Sequence, residues 1–164
     1  MSLSRNIATV FGVGPLRPAP GTWGSLVALP AFYLIHVAGG FPLAVVATCA
    51  MFAFGWWATA EQTRDSLDHD PSEIVIDEVV GQWLALWTIS ASAWRLEIDV
   101  LQLWPGWLAG FALFRMFDIF KPGPVGWADR RADALGVMLD DVIAGVCAAL
   151  CVAAMAAVAH GVLM

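Results

Sequence analysis

Long apolar stretches alternate with short polar connections along this chain, and the stretches have the length of membrane crossings rather than of soluble helices. An apolar run extends from Trp23 to Val37, broken by Pro30. It is shorter than the ~20 residues a spanning helix needs, which predicts a tilted, kinked or re-entrant element. Gly39-Gly40-Phe41-Pro42 reads as a turn, followed by a second helix from Leu43 to Ala60. Residues 61–73 form a polar loop, and a third helix is expected from Ile74 to Ala93. A short polar connection, Trp94 to Asp99, leads to a fourth helix from Val100 to Phe120, ended by Pro122 and Pro124. Residues 121–139 are the longest basic loop, and the last helix is expected from Asp140 to Val158. Residues 1–22, rich in Gly and Pro, read as loop apart from a short apolar run. The pattern predicts an all-α fold: a small polytopic membrane helical bundle, one domain over residues 1–164, with a first helix that is short or re-entrant.

Composition agrees. Of 164 residues, 60% are apolar and 13% charged, and the mean hydropathy is +0.74. Soluble domains carry roughly 45–50% apolar and about 25% charged residues. The net charge of -6 argues against nucleic acid as a partner, since a phosphate-backbone binder needs a basic face. The opening residues lack a basic-then-apolar leader, so no cleavable signal is expected. Cys49, Cys147 and Cys151 lie in apolar runs without a CxxC spacing and read as small packing residues. Nine tryptophans, several near run ends, resemble interfacial anchors. Arg5, Arg17, Arg64, Lys121, Arg130 and Arg131 fall on one side of a five-crossing topology and only Arg95 on the other. That excess marks the first side as cytoplasmic.

Charge matters most where it interrupts the apolar runs. Asp77-Glu78, Asp118 and Asp140-Asp141 all fall on the cytoplasmic side, at headgroup depth. Ionised carboxylates beside hydrocarbon are costly, so such residues pair, bind a metal or line a polar site. Asp77, Asp118, Asp140 and Asp141 are candidate ligands of Mg²⁺, a hard cation that takes oxygen ligands, with Glu78 a further ligand or a general base. Capping is the competing reading for Asp77, Glu78 and Asp140, each near an expected helix start. Asp118 does not fit capping, because a helix C-terminus disfavours an anion; an ion pair with Arg115 is its alternative.

Arg115, Asp118 and Lys121 recur at three-residue spacing, so cation, anion and cation share a helix face. A metal beside an Arg and a Lys suits phosphoryl transfer. The stretch FGVGPLRPAPGTWGSL (11–26) offers an anion cradle, with Thr22 or Ser25 starting the next helix; a plain Gly/Pro turn is the alternative. His69 and Asp70 are near enough in sequence to join the site or to remain solvated, whereas His36 and His160 fall on the opposite side. Arg130 and Arg131 read as contacts to anionic lipid. No Cys-x5-Arg loop, DxDx opening, alcohol phosphatidyltransferase pattern or vanadium-type phosphatase signature occurs. Two other functions fit the same acids: a phosphatase of another lipid phosphate such as phosphatidic acid, and a divalent-cation carrier or channel. Against the carrier, no polar row continues to the far side.

Four blocks together resemble a known family: APGTWGSL (19–26), HDPSEIVIDEVVGQW (69–83), FRMFDIFKPGPVGWADR (114–130) and GVMLDDVIAGV (136–146). In order and over nearly the whole chain, they resemble the signature blocks of the phosphatidylglycerophosphatase A family. The resemblance implies a Mg²⁺-dependent phosphatase of the bacterial inner membrane that converts phosphatidylglycerophosphate to phosphatidylglycerol. It carries the family's acidic positions onto Asp77, Glu78, Asp118, Asp129, Asp140 and Asp141, and its basic positions onto Arg115 and Lys121.

Overall fold

The turn at Gly39-Gly40 decides the topology of the amino-terminal half. The computed structural model describes residues 2–64, 66 and 71–163, and every regular element among them is helical: α1 (Leu3–Ala8), α2 (Pro20–Thr63), α3 (Ile76–Ala85), α4 (Trp87–Leu96), a 3-10 turn (Val100–Leu103), α5 (Trp104–Phe120), α6 (Pro124–Asp129) and α7 (Ala134–Leu163). Within α2 the backbone leaves helical geometry only at Gly39 and Gly40. Gly40 has φ 63°, a left-handed value open to glycine, and a Cβ there would lie 2.0 Å from the Trp94 ring. The chain reverses at this point, which makes two antiparallel limbs of α2.

Contacts along α3 and α4 fix that reversal. Trp83 Nε1 donates to the Ala28 carbonyl at 2.9 Å, and His36 meets Ser90 at 2.7 Å. The first limb therefore climbs beside α3 and α4. Trp87 Nε1 donates to Thr48 Oγ1 at 3.2 Å, and Gly55 faces Ile76, so the second limb descends. The first limb thus runs the full depth of the bundle from Pro20, helical through Pro30, and is neither short nor re-entrant. Next, α5 descends, with Gly106 against Ile89, Gly110 against Leu86 and Phe114 against Gly81. Finally α7 climbs again.

The other differences from the sequence reading have local causes. Residues 3–8 form a helix because the Ser2 hydroxyl accepts from Arg5 N at its start. The third helix is divided at Leu86, where Leu86 N donates to the Trp83 carbonyl in a tightened turn. The fourth begins as a 3-10 turn, with Pro105 in the first turn of α5, where its missing N–H costs nothing. The 121–139 loop contains α6, opened by Pro124. The last helix starts at Ala134 because Asp133 Oδ1 accepts from Gly136 N at 2.7 Å. Asp140 and Asp141 consequently stand inside α7 and do not cap it.

Buried side chains cluster around α3: Val79, Trp83 and Leu86 pack with Ala28, Phe32 and Ala44 of α2. Phe32 also meets Trp107 edge-on, ring centres 6.1 Å apart. Outward, Leu34, Val46, Leu108 and Leu150 are exposed. The segments Pro20–Thr63 and Ala134–Ala159 are long and apolar enough to cross a membrane.

Helices α3 and α7 approach most closely at two glycines. A Cβ on Gly145 would lie 2.3 Å from the Gly81 carbonyl oxygen, and one on Gly81 would lie 2.6 Å from the Asp141 carbonyl. Small residues permit such contact between apolar helices where no side chain needs to intervene. Gly145→Ala is expected to force the backbones apart and to destabilise the protein by about 1–3 kcal/mol. Gly110→Ala, whose Cβ meets a flexible Leu86 methyl at 3.3 Å, is expected to be tolerated. Thermal unfolding of both variants in detergent checks the contrast, and equal melting temperatures would refute it.

Candidate active site

The same glycine contact sets the acids. Asp77 lies one turn before Gly81 on α3, and Asp141 one turn before Gly145 on α7, so closing the helices brings both carboxylates to one end of the bundle. Descending α5 delivers Arg115, Asp118 and Lys121 to that end. Ala19, Pro20 and Gly21, at the start of α2, complete the wall with Ser72 and Ile74. The result is a cavity of about 240 Å³ lined by these groups together with Glu78, Asp140 and Asp141. Sequence reasoning singled out all seven charged residues in the lining.

Arg115 is held in place by three neighbours. Its Nη1 pairs with Asp118 Oδ2 at 2.7 Å and donates to Ser25 Oγ at 3.4 Å, and its guanidinium lies 5.9 Å from the Phe114 ring centre. Ser25, fully buried, donates in turn to the Gly21 carbonyl at 2.9 Å. Ser25 therefore stands behind Arg115 and does not open the helix; α2 begins at Pro20, and Thr22 is half-buried in its first turn. The expected ion pair of Arg115 with Asp118 is present, yet Asp118 still faces the cavity.

Lys121 ends α5 in a left-handed conformation (φ 45°) and bonds both Asp129 of α6 and Asp140 of α7. Burial opposes its charge, but the two carboxylates outweigh burial and raise its pKa above the ordinary lysine value. Lys121 stays charged throughout the physiological range. Asp129 thus serves the site by anchoring Lys121. Arg131 pairs with Asp133 at 2.9 Å on the surface, and the pair holds Asp133 ionised below the usual carboxylate range. Arg130 is exposed. The rim is tied to the amino-terminal segment: Arg5 pairs with Glu73 at 3.2 Å, Arg17 donates to Ser72 Oγ at 3.4 Å, and Val75 N donates to the Ala8 carbonyl at 2.9 Å. His69 and Asp70 lie outside the described residues. His36 belongs to the opposite end, bonded to Ser90.

Polar atoms without partners show what the cavity is built to take. Glu78 Oε2, Asp140 Oδ1 and Asp141 Oδ1 are buried acceptors with no hydrogen bond, and Arg115 Nε is a buried donor with none. Such atoms are costly unless a ligand meets them. Asp77 Oδ1 accepts from Glu78 N at 3.0 Å. Two oxygen sets, Asp77–Glu78–Asp141 and Asp118–Asp140–Asp141, each have their atoms within 4.8 Å of one another. Oxygens around a six-coordinate Mg²⁺ sit ~2.1 Å from the ion and so ~3–4 Å apart, a spacing of the same order as that within each set.

The family model described as PgpA, phosphatidylglycerophosphatase A, matches residues 6–156. The chain belongs to this family. The phosphatidylglycerophosphatase A of Haemophilus influenzae is 36% identical over 148 residues, covering 89% of this chain and 84% of the relative. The Escherichia coli protein of the same name is 33% identical over 147 residues, covering 87% and 77%. A third relative, from Bacteroides thetaiotaomicron, is 37% identical over 145 residues and carries a provisional name as a phosphatidylinositol-3-phosphatase. No solved structure matches the chain. Membership makes the chain a member of a family of phosphoric monoester hydrolases with a membrane-associated bundle.

Sequence reasoning passed over Gly21 as a turn residue. A Cβ there would lie 2.2 Å from Glu78 Oε1 and 3.2 Å from Arg115 Nη1, so an added methyl would push the Glu78 carboxylate out of its present position. Displacing reacting groups by ~1 Å costs on the order of 10²-fold in rate. Gly21→Ala is therefore expected to keep its helical circular dichroism and lose phosphate release by about tenfold or more. Wild-type turnover would show that the close approach is dispensable.

Proposed function

We propose that this protein removes the terminal phosphate of phosphatidylglycerophosphate to give phosphatidylglycerol, in a Mg²⁺-dependent step of phospholipid biosynthesis at the cytoplasmic face of a bacterial inner membrane. The observation that carries the reading is the pairing of orphaned buried acceptors with an orphaned buried donor in the lining of one cavity. Carboxylate oxygens call for a cation, and Arg115 Nε calls for an anion. A metal and a phosphate together would satisfy both. The names of the Haemophilus influenzae and Escherichia coli relatives supply the substrate.

The distribution of basic residues supports a cytoplasmic orientation of the site. Arg5, Arg17, Arg64, Lys121, Arg130 and Arg131 lie at the acidic end and Arg95 at the other. The acyl chains then stay in the bilayer beside the apolar outer surface while the headgroup phosphate enters the cavity.

Asp77, Glu78, Asp118, Asp140 and Asp141 are the groups that would hold Mg²⁺. When bound, the ion supplies charge neutralisation at the phosphoryl oxygens and acidifies water. The chain's own residues do the rest. Arg115, fixed by Asp118 and Ser25, presents its unpartnered Nε–H to a phosphate oxygen. Lys121 adds a second fixed positive charge, and the α2 N-terminus, without a side-chain cap, directs backbone N–H groups at the same space. Glu78 and Asp77, adjacent at the start of α3, are the two carboxylates next to the space for an attacking water; whichever oxygen of the pair is not held by the ion would accept its proton.

Asp118→Asn keeps the shape and removes the charge. It is expected to lower phosphate release by about 10²-fold or more with the fold retained. Near-normal turnover would take Asp118 out of the chemistry. The decisive assay measures phosphate release by purified protein from phosphatidylglycerophosphate, phosphatidic acid and phosphatidylinositol 3-phosphate, with and without Mg²⁺. Release from the first substrate, abolished by chelation, is expected. The third substrate is included because of the Bacteroides thetaiotaomicron relative's name. Full activity after exhaustive chelation would remove the metal from the reading. Metal uptake into proteoliposomes without phosphate release would favour a carrier.

A further inference from the structure

The two oxygen sets share one residue, and the charge of the cavity gives that sharing a purpose. With all five ionised, the carboxylates of the lining outnumber its two fixed cations by three charges. A phosphate monoester brings about two more at neutral pH. A single divalent ion leaves the cavity negative and repels the substrate. Two make it positive before the substrate arrives. The geometry supplies two places: Asp77 and Glu78 on α3 form one set with Asp141, and Asp118 on α5 and Asp140 on α7 form the other with the same Asp141. Each set also holds an oxygen that is buried and has no hydrogen-bond partner, Glu78 Oε2 in the first and Asp140 Oδ1 in the second. Asp141 itself is 3% exposed, its Oδ1 is unpartnered, and it lines the cavity.

We propose that the cavity binds two divalent cations, with the Asp141 carboxylate bridging them. A carboxylate bridge spans ions about 3.5–4 Å apart, the separation at which paired metals clamp the two reacting oxygens of a phosphoryl transfer. The two neighbouring cations are already committed: Arg115 pairs with Asp118, and Lys121 bonds Asp140 and Asp129. Neither is bonded to Asp141. This inference rests on the phosphatase reading for its substrate charge, but its test does not depend on turnover.

The probe is Mn²⁺, titrated into the full-length protein in detergent or lipid nanodiscs. Equilibrium binding and electron paramagnetic resonance report ion number and ion coupling. Wild-type protein is expected to bind two Mn²⁺ per chain with a spin-coupled spectrum. Glu78→Gln and Asp118→Asn are each expected to retain one ion with the hyperfine pattern of an isolated centre. Asp141→Asn is expected to weaken both sites by about tenfold or more and to abolish coupling, since losing a direct ligand costs at least as much as losing a supporting residue. Saturation at one ion per chain in the wild type, or two ions without coupling, overturns the proposal. Should Asp141→Asn fail to fold by circular dichroism, the Glu78 and Asp118 variants decide: a spin-coupled pair surviving in either overturns it. One ion with normal Mg²⁺-dependent phosphate release removes the bridge and leaves the phosphatase standing. Two coupled ions without release from any lipid phosphate do the reverse.

Discussion

The contact between α3 and α7 at Gly81 and Gly145 is the constraint on which the site depends. Backbone meets backbone there without an intervening side chain. Each helix carries an aspartate one turn away on the same side, so the closeness of the glycines becomes closeness of carboxylates. Between helices that are apolar on their outer faces, close packing of small residues holds the pair together. The packing that holds the bundle together is thus the packing that confines the acids, and confinement is what makes them costly without a cation.

Around those acids, each fixed cation is placed by residues from another element. Arg115 is oriented by Ser25 of α2, which is itself bonded to Gly21. Lys121 links α5 to α6 and α7 through Asp129 and Asp140. The cations are therefore braces between helices. Such bracing favours preorganised electrostatic stabilisation, because groups that are already oriented need not reorganise as charge develops.

Much of the fold was legible because lipid and a packed helical interior demand similar apolar runs. The Gly39-Gly40 reversal, the helical character of the apolar runs and the common end for the acids could all be read from the residues. The break at Leu86 could not, since neither Gly nor Pro marks it and its cause is hydrogen-bonding across one tight turn. The start of α7 was misplaced because its first turn lies beyond a charged stretch, and Asp133 caps it where Asp140 had seemed the natural opening. Among the site residues, the charged ones were legible through the cost of placing them in apolar sequence. Ser25 and Gly21 carry no such cost. Their roles come from neighbours far away in sequence, Arg115 and Glu78, and only the fold brings those together.

The amino-terminal segment gives the molecule a sidedness of practical importance. Ala8 accepts from Val75 just before α3, Gly14 abuts the Glu73 backbone, and Arg5 and Arg17 grip the same stretch. That stretch leads directly into the acids, so the first residues of the chain support the floor of the cavity. A purification handle or fluorescent fusion belongs at the carboxyl end, where α7 leaves the bundle far from the carboxylates.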